Sequence, residues 1–128
     1  MANQIKAWND QCGATAVEFA LVGPIFIALV IGILYMCIGL FTVGSLHYAV
    51  EEGARCWAVK STVCTDAATT VAYTNSRYFG PGTSPNFVTD STGGCGRSVS
   101  ANLNYVMNLG IKQITVPITA TACYPPTS

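Results

Sequence analysis

From Phe19 to Leu46 the chain carries no Asp, Glu, Lys or Arg, and nearly every side chain is aliphatic or aromatic. Those 28 residues exceed the roughly 20 that a helix needs to cross a bilayer. The pattern therefore predicts a transmembrane helix over 14–46. Beyond Leu46, Val50, Ala54, Trp57 and Ala58 recur at helical spacing, and Glu51 stands four residues ahead of Arg55, so the helix is expected to continue as a stem over 47–60. At 1.5 Å per residue that stem reaches roughly 20 Å past the apolar run.

The remainder, 61–128, changes period. Thr65 or Asp66 is placed to cap a short helix that runs through Ala67, Val71 and Tyr78 until Gly80-Pro81-Gly82 stops it. Tyr73, Tyr78 and Phe79 are read as core aromatics of that helix rather than a ligand-stacking box. Ser84-Pro85-Asn86 and Ser91-Thr92-Gly93-Gly94 read as loops around a short strand at Phe87 to Thr89. Val99, Ala101, Leu103 and Tyr105 alternate with Ser98, Ser100, Asn102 and Asn104, and Ile114, Val116, Ile118, Ala120 and Ala122 alternate with Thr115, Pro117, Thr119 and Thr121. That two-residue period, broken at Asn108-Leu109-Gly110, predicts a hairpin with one apolar face. Pro117 has no N–H for a ladder, so its strand belongs at an edge or a bulge. The expected class is α+β: a long N-terminal helix, then a small outer domain with one short helix over an antiparallel sheet.

Composition narrows the function. Charged residues make up 9% and the formal net charge is zero, which gives no basic surface for nucleic acid. With 128 residues there is room for one span and one small domain. Catalysis has little to work with, since the single histidine, His47, stands at the membrane edge of the stem, and the acids beyond the stem are Asp66 and Asp90. Gly93-Gly94-Cys95-Gly96 lacks a phosphate-binding pattern. No enzyme activity, cofactor, metal or small-molecule substrate is expected. Loop charge signals orientation weakly, because Lys6 precedes the span while Arg55 and Lys60 follow it.

Within the span, Gly23-Pro24 is placed to bend the helix. Ala28, Gly32 and Gly39 fall within about 40° of one another on a helical wheel, a small-residue stripe suited to close helix packing. The competing reading is that such residues are simply frequent in membrane helices. Cys37 is read as an inert small apolar residue.

Glu18 is the anomaly, a carboxylate at the head of the apolar run. A charge in hydrocarbon costs roughly 2.5 to 3.5 kcal/mol even on lenient insertion scales, so it calls for a cationic partner, and the sequence offers no obvious one. Hydrolysis after Gly13 would create it: the new α-amine of Ala14 is cationic near neutral pH and lies one helical turn from Glu18. The pair can form within a chain or between neighbouring subunits. Glycine at the cut lets a protease draw the backbone close.

Six cysteines are present. Setting aside Cys12 ahead of the cut and Cys37 in the span leaves Cys56, Cys64, Cys95 and Cys123 in a small domain of the kind that disulfides staple outside the cytoplasm. Three pairings are possible. Cys56 with Cys64 and Cys95 with Cys123 is favoured, because the first closes a short helix-to-loop span and the second ties the start of the hairpin to its far end. Each bridge would contribute on the order of 3 kcal/mol. None of these spacings suits a zinc site.

The order glycine, cut, glutamate five residues beyond the glycine, then an apolar run resembles the type IV pilin superfamily. Gly13-Ala14-Thr15-Ala16-Val17-Glu18-Phe19-Ala20-Leu21, the downstream Pro24, and Glu51-Glu52-Gly53-Ala54-Arg55 are similar to the TadE family of tight-adherence pilus pseudopilins. The likeness covers roughly the first 60 residues and, beyond them, extends only to layout, a small domain ending in a Val/Ile-rich strand and Tyr124-Pro125-Pro126. It implies a leader, 1–13, removed by a prepilin peptidase on the cytoplasmic side, with Ala14 open to N-methylation. It implies Glu18 and Phe19 as assembly residues. It further implies a structural minor pseudopilin of a Tad-type pilus in the bacterial inner membrane, N-terminus cytoplasmic, with lipid, other pilins and the Tad secretion machinery as partners. The alternative is an uncleaved single-pass envelope protein whose outer domain binds a partner beyond the membrane.

Overall fold

In the computed structural model, residues 2–82, 84–108 and 110–125 are described, with side chains from Gly13 onward. Leu109 of the expected turn, Pro126, and the side chains of Lys6 and Cys12 lie outside the described residues. The chain divides into two compact units, Met1–Met36 and Cys37–Ser128.

The apolar run and the stem are helical together in α1 (Ala2–Val59), which carries Pro24 in its interior. Among the described residues of the first unit the run has no apolar partner, and from Val17 to Leu34 its large side chains stand exposed. Gly13–Val59 contains a stretch long and apolar enough to cross a membrane, which fits a single-pass membrane protein.

The second unit is an α+β domain. Its three strands, β1 (Asn86–Asp90), β2 (Arg97–Asn108) and β3 (Gln113–Tyr124), form an antiparallel sheet in the order β1-β2-β3. Phe87 pairs with Ala101, and Ala101 with Ala120 on the other side, so the sheet's apolar face is continuous. That face closes on the outer part of α1: Leu46, Ala49, Val50 and Ala54 pack with Phe87, Val99, Ala101, Leu103 and Ala120. Each such fully buried Leu or Val contributes about 1.5–3 kcal/mol. Pro117 sits on β3, an edge strand, opposite Asn104, where a missing N–H is tolerated.

The short helix is α2 (Ala67–Ser76), opened by a capping box in which Asp66 accepts from the Thr69 N–H and Thr69 Oγ1 accepts from the Asp66 N–H. It ends before Tyr78, contrary to the sequence pattern. The Tyr78 N–H bonds back to Asn75 at 3.3 Å in a tightened turn, and the next N–H, of Phe79, goes instead to Ser45 Oγ on α1 at 2.7 Å. A hydroxyl on a neighbouring helix thus outcompetes continuation. A second departure concerns which helix covers the sheet. The face of α1 fills the core, while α2 packs on β1 and beside α1, bringing Thr74 onto Gly53 so closely that no Cβ fits there, and contributes Val71 at the margin. The strands also run longer than their alternation, because backbone pairing continues from Arg97↔Tyr124 to Asn108↔Gln113. Gly110, at φ +78°, supplies the left-handed conformation the hairpin turn requires.

Candidate functional site

The head of the apolar run is built from small residues around one acid. Gly13, Ala14, Thr15, Ala16, Glu18 and Phe19 are helical and exposed. Ala14 and Glu18 are therefore four residues apart on a helix, the spacing at which side chains face one another. Among the described residues no cationic side chain forms an ion pair with Glu18; the one pair recorded joins Arg55 to Glu52 at 4.0 Å. Behind Glu18, Phe19 packs its ring edge near Gly23, 3.8 Å from where a Cβ would stand. Pro24, Ala28 and Gly32 are exposed, and nothing crowds Gly32. Gly39 differs from its stripe mates: it is half-buried beneath Tyr105 of the chain's own hairpin, 3.6 Å from the ring.

Glu18 thus stands four residues beyond Ala14 on an exposed apolar helix. Residues 13–55 match the family model described as TadE-like protein. No curated protein matches the chain, and no solved structure does. The TadE-like match begins at Gly13 and ends at Arg55. It thus takes in Gly13, Ala14, Glu18, the run and the α1 face that carries the core, and leaves out α2 and all three strands.

Beyond the TadE-like segment, two disulfides hold the outer domain. Cys56 is joined to Cys64, with Cα atoms 5.8 Å apart, and Cys95 to Cys123, at 6.4 Å. The first closes the loop after α1 and, with Trp57 and the flanking Tyr73, forms a second small core. The second ties the turn before β2 to the end of β3. Arg97 completes this end by donating to the Trp57 carbonyl at 3.1 Å and lying over the Trp57 ring.

The remaining candidates have separate surroundings. His47 is exposed on α1 and Cys37 is a free, exposed thiol. Asp66 caps α2, and its carboxyl is held below the usual carboxylate range, chiefly by the Thr69 N–H. Asp90 accepts from the Thr92 hydroxyl and N–H, which lower its pKa in the same direction. Tyr73 donates to Glu52 at 3.5 Å, and Tyr78 lies against the main core, but Phe79 is 64% exposed and is no core residue. Among the described residues no group of three or more His, Cys, Asp or Glu side chains converges. A cleft of about 460 Å³ between α1 and the end of β3 is lined by Glu51, Glu52, Arg55, Thr121 and Tyr124. Sequence reasoning missed the Ser45–Phe79 bond and the Thr74–Gly53 contact; only the glycine, set in an otherwise bulky stem, signalled the latter.

Proposed function

We propose that the chain is a minor pseudopilin of a Tad-type pilus, cut after Gly13 by a prepilin peptidase in the bacterial inner membrane and acting structurally, not as an enzyme. The observation that carries the reading is the TadE-like match over residues 13–55, at whose head Glu18 is exposed without a cationic side-chain partner among the described residues. Cleavage creates an α-amine on Ala14, one turn from that carboxylate. The amine answers Glu18 in the same chain or in a neighbouring subunit, and Phe19, Pro24, Ala28 and Gly32 supply the surface on which helices of other pilins pack. The outer domain is carried on the extracytoplasmic side, where its disulfides persist. Involvement in the pilus rests on the family likeness; the minor role rests on the size of the outer domain.

Intact-mass analysis of the protein purified from cells containing the peptidase tests this reading. It should begin at Ala14, and Glu18→Ala should abolish incorporation into the pilus while membrane insertion is unchanged. A chain starting at Met1 in working pili would overturn the reading and leave an uncleaved envelope protein whose outer domain binds a partner.

A further inference from the structure

The sheet of the outer domain is incomplete at one place. β3 pairs with β2 along its whole length, from Arg97↔Tyr124 to Asn108↔Gln113, whereas β1 pairs with residues 98–102 alone. β1 begins at Asn86, opposite Asn102. Past that point β2 runs on over 103–108, about 20 Å of strand, with β3 on one flank and, among the described residues, no strand on the other. In an antiparallel ladder successive residues turn their N–H and C=O to opposite flanks. Every second residue of 103–108 therefore directs its backbone groups into the open slot.

Two clefts adjoin this slot, one of about 240 Å³ and one of about 300 Å³, and both are bordered by Leu103, Asn104 and Val106. The first adds Pro81, Gly82 and Tyr105 to its lining, the second Ser84, Asn86 and Asn102. Tyr105 and Asn102, an odd number of residues apart, stand on opposite faces of β2. A strand laid in the slot would thus send its side chains alternately to the two clefts. Apolar ones fit beside Pro81 and the half-buried Tyr105, and hydroxyl or amide ones beside Ser84, Asn86 and the exposed Asn102. None of the described residues lining either cleft is charged, so an uncharged strand suits them.

The other edges of the sheet are guarded. β3 carries Pro117 in mid-strand, which lacks the N–H that an added strand would need, and β1 has α2 packed on it. Natural sheets blunt their edges in such ways, with proline, charge or a covering element. Residues 103–108 hold no proline and no charged side chain. The stretch keeps what a strand-binding edge requires, a run of backbone groups with pockets for alternate side chains beside it.

We propose that the open flank of β2 over 103–108 is a strand-addition site, taking an extended, uncharged segment of another protein in which apolar residues alternate with hydroxyl or amide ones. The test uses the full chain in detergent and a capped peptide of Val-Thr repeats, long enough to fill the slot and flanked by Ser-Gly at each end. Its control is the same peptide N-methylated at every Val and Thr. With the plain peptide in excess, amide hydrogen exchange should slow by about tenfold or more at every second residue of 103–108, and the N-methylated peptide should leave it unchanged. Val106→Lys places the charge that guards natural edges on a half-exposed position and should abolish the protection. Thr121→Lys, exposed and opposite Ser100 on the same sheet, should retain it. Absence of protection with the plain peptide on the unsubstituted chain overturns the proposal. Equal protection by both peptides also overturns it, because side-chain contact then suffices without backbone pairing. Protection that needs no peptide and grows with chain concentration overturns it as well, and assigns the slot to a second copy.

Discussion

Leu29 is 56% exposed and Leu46 is fully buried, although both lie in one uncharged run of α1. The inner stretch, from Val17 to Leu34, presents apolar side chains that nothing in its own unit covers; the outer stretch, from Thr42 to Trp57, has a sheet, a second helix and two disulfides around it. The acids divide the same way. Glu18 has no ion-pair partner among the described residues, whereas Asp66 and Asp90 are each answered by a threonine two or three residues on. The difference teaches that hydrophobicity alone does not say where a side chain is buried. In the outer stretch the chain supplies the burial, and in the inner stretch the described residues do not.

The sharpest way to break that contrast is to truncate the same side chain in both places. Leu46→Ala should cost the outer domain about 2–5 kcal/mol, the range for emptying a packed site. Leu29→Ala should leave the domain's unfolding unchanged. Chemical unfolding in detergent, followed by Trp57 fluorescence, measures both. Equal losses would mean that the two stretches fold as one unit and that the division at Met36 has no energetic content.

Gly53 probes a narrower boundary, between α1 and α2. Its missing Cβ is the space that Thr74 occupies, with Thr74 fully buried and its hydroxyl spent on the Thr70 carbonyl at 2.8 Å. Gly53→Ala gains helix propensity of up to about 1 kcal/mol but forces α2 away, and overpacking of this kind costs about 1–3 kcal/mol. Net destabilisation is expected, with partial rescue by Thr74→Ala in a double-mutant cycle. Independent, additive effects would sink the contact.

How much of this was legible in the chain depends on whether the deciding interaction is local. The apolar run, the strand alternation and the edge position of Pro117 follow from period and from one missing N–H, and the structure has them. The capping of α2 was readable too, because Asp66 and Thr69 are neighbours in sequence. What was not readable are contacts between elements distant in sequence. Ser45 ends α2 early by taking the Phe79 N–H across 34 positions. The assignment of the sheet's cover to α1 depended on Leu46, Ala49 and Val50, which in sequence look like the end of a membrane run and the start of a solvated stem. At the candidate site, spacing alone brought Ala14 and Glu18 one turn apart, while Gly39, grouped with Ala28 and Gly32 by angle, turned out to lie beneath Tyr105.

The smallest expected effect comes from the acids of the outer domain. The Thr69 N–H, at 2.7 Å, and its hydroxyl, at 2.8 Å, stabilise the charged form of Asp66, so its folded-state pKa lies below the ordinary 3.8. A carboxyl whose pKa is lowered by folding contributes stability that is complete above its unfolded value and is lost as pH falls through the folded one. Domain stability should therefore be flat above about pH 5 and decline on acidification below about pH 4. Asp90, lowered by Thr92, acts in the same direction, so one substitution does not isolate the cap. Asp66→Asn and Asp90→Asn, alone and together, should each flatten part of the acid decline while the neutral-pH midpoint moves little, since an amide oxygen still accepts the N–H. Both carboxylates are at the surface and screened by salt, which keeps the change small.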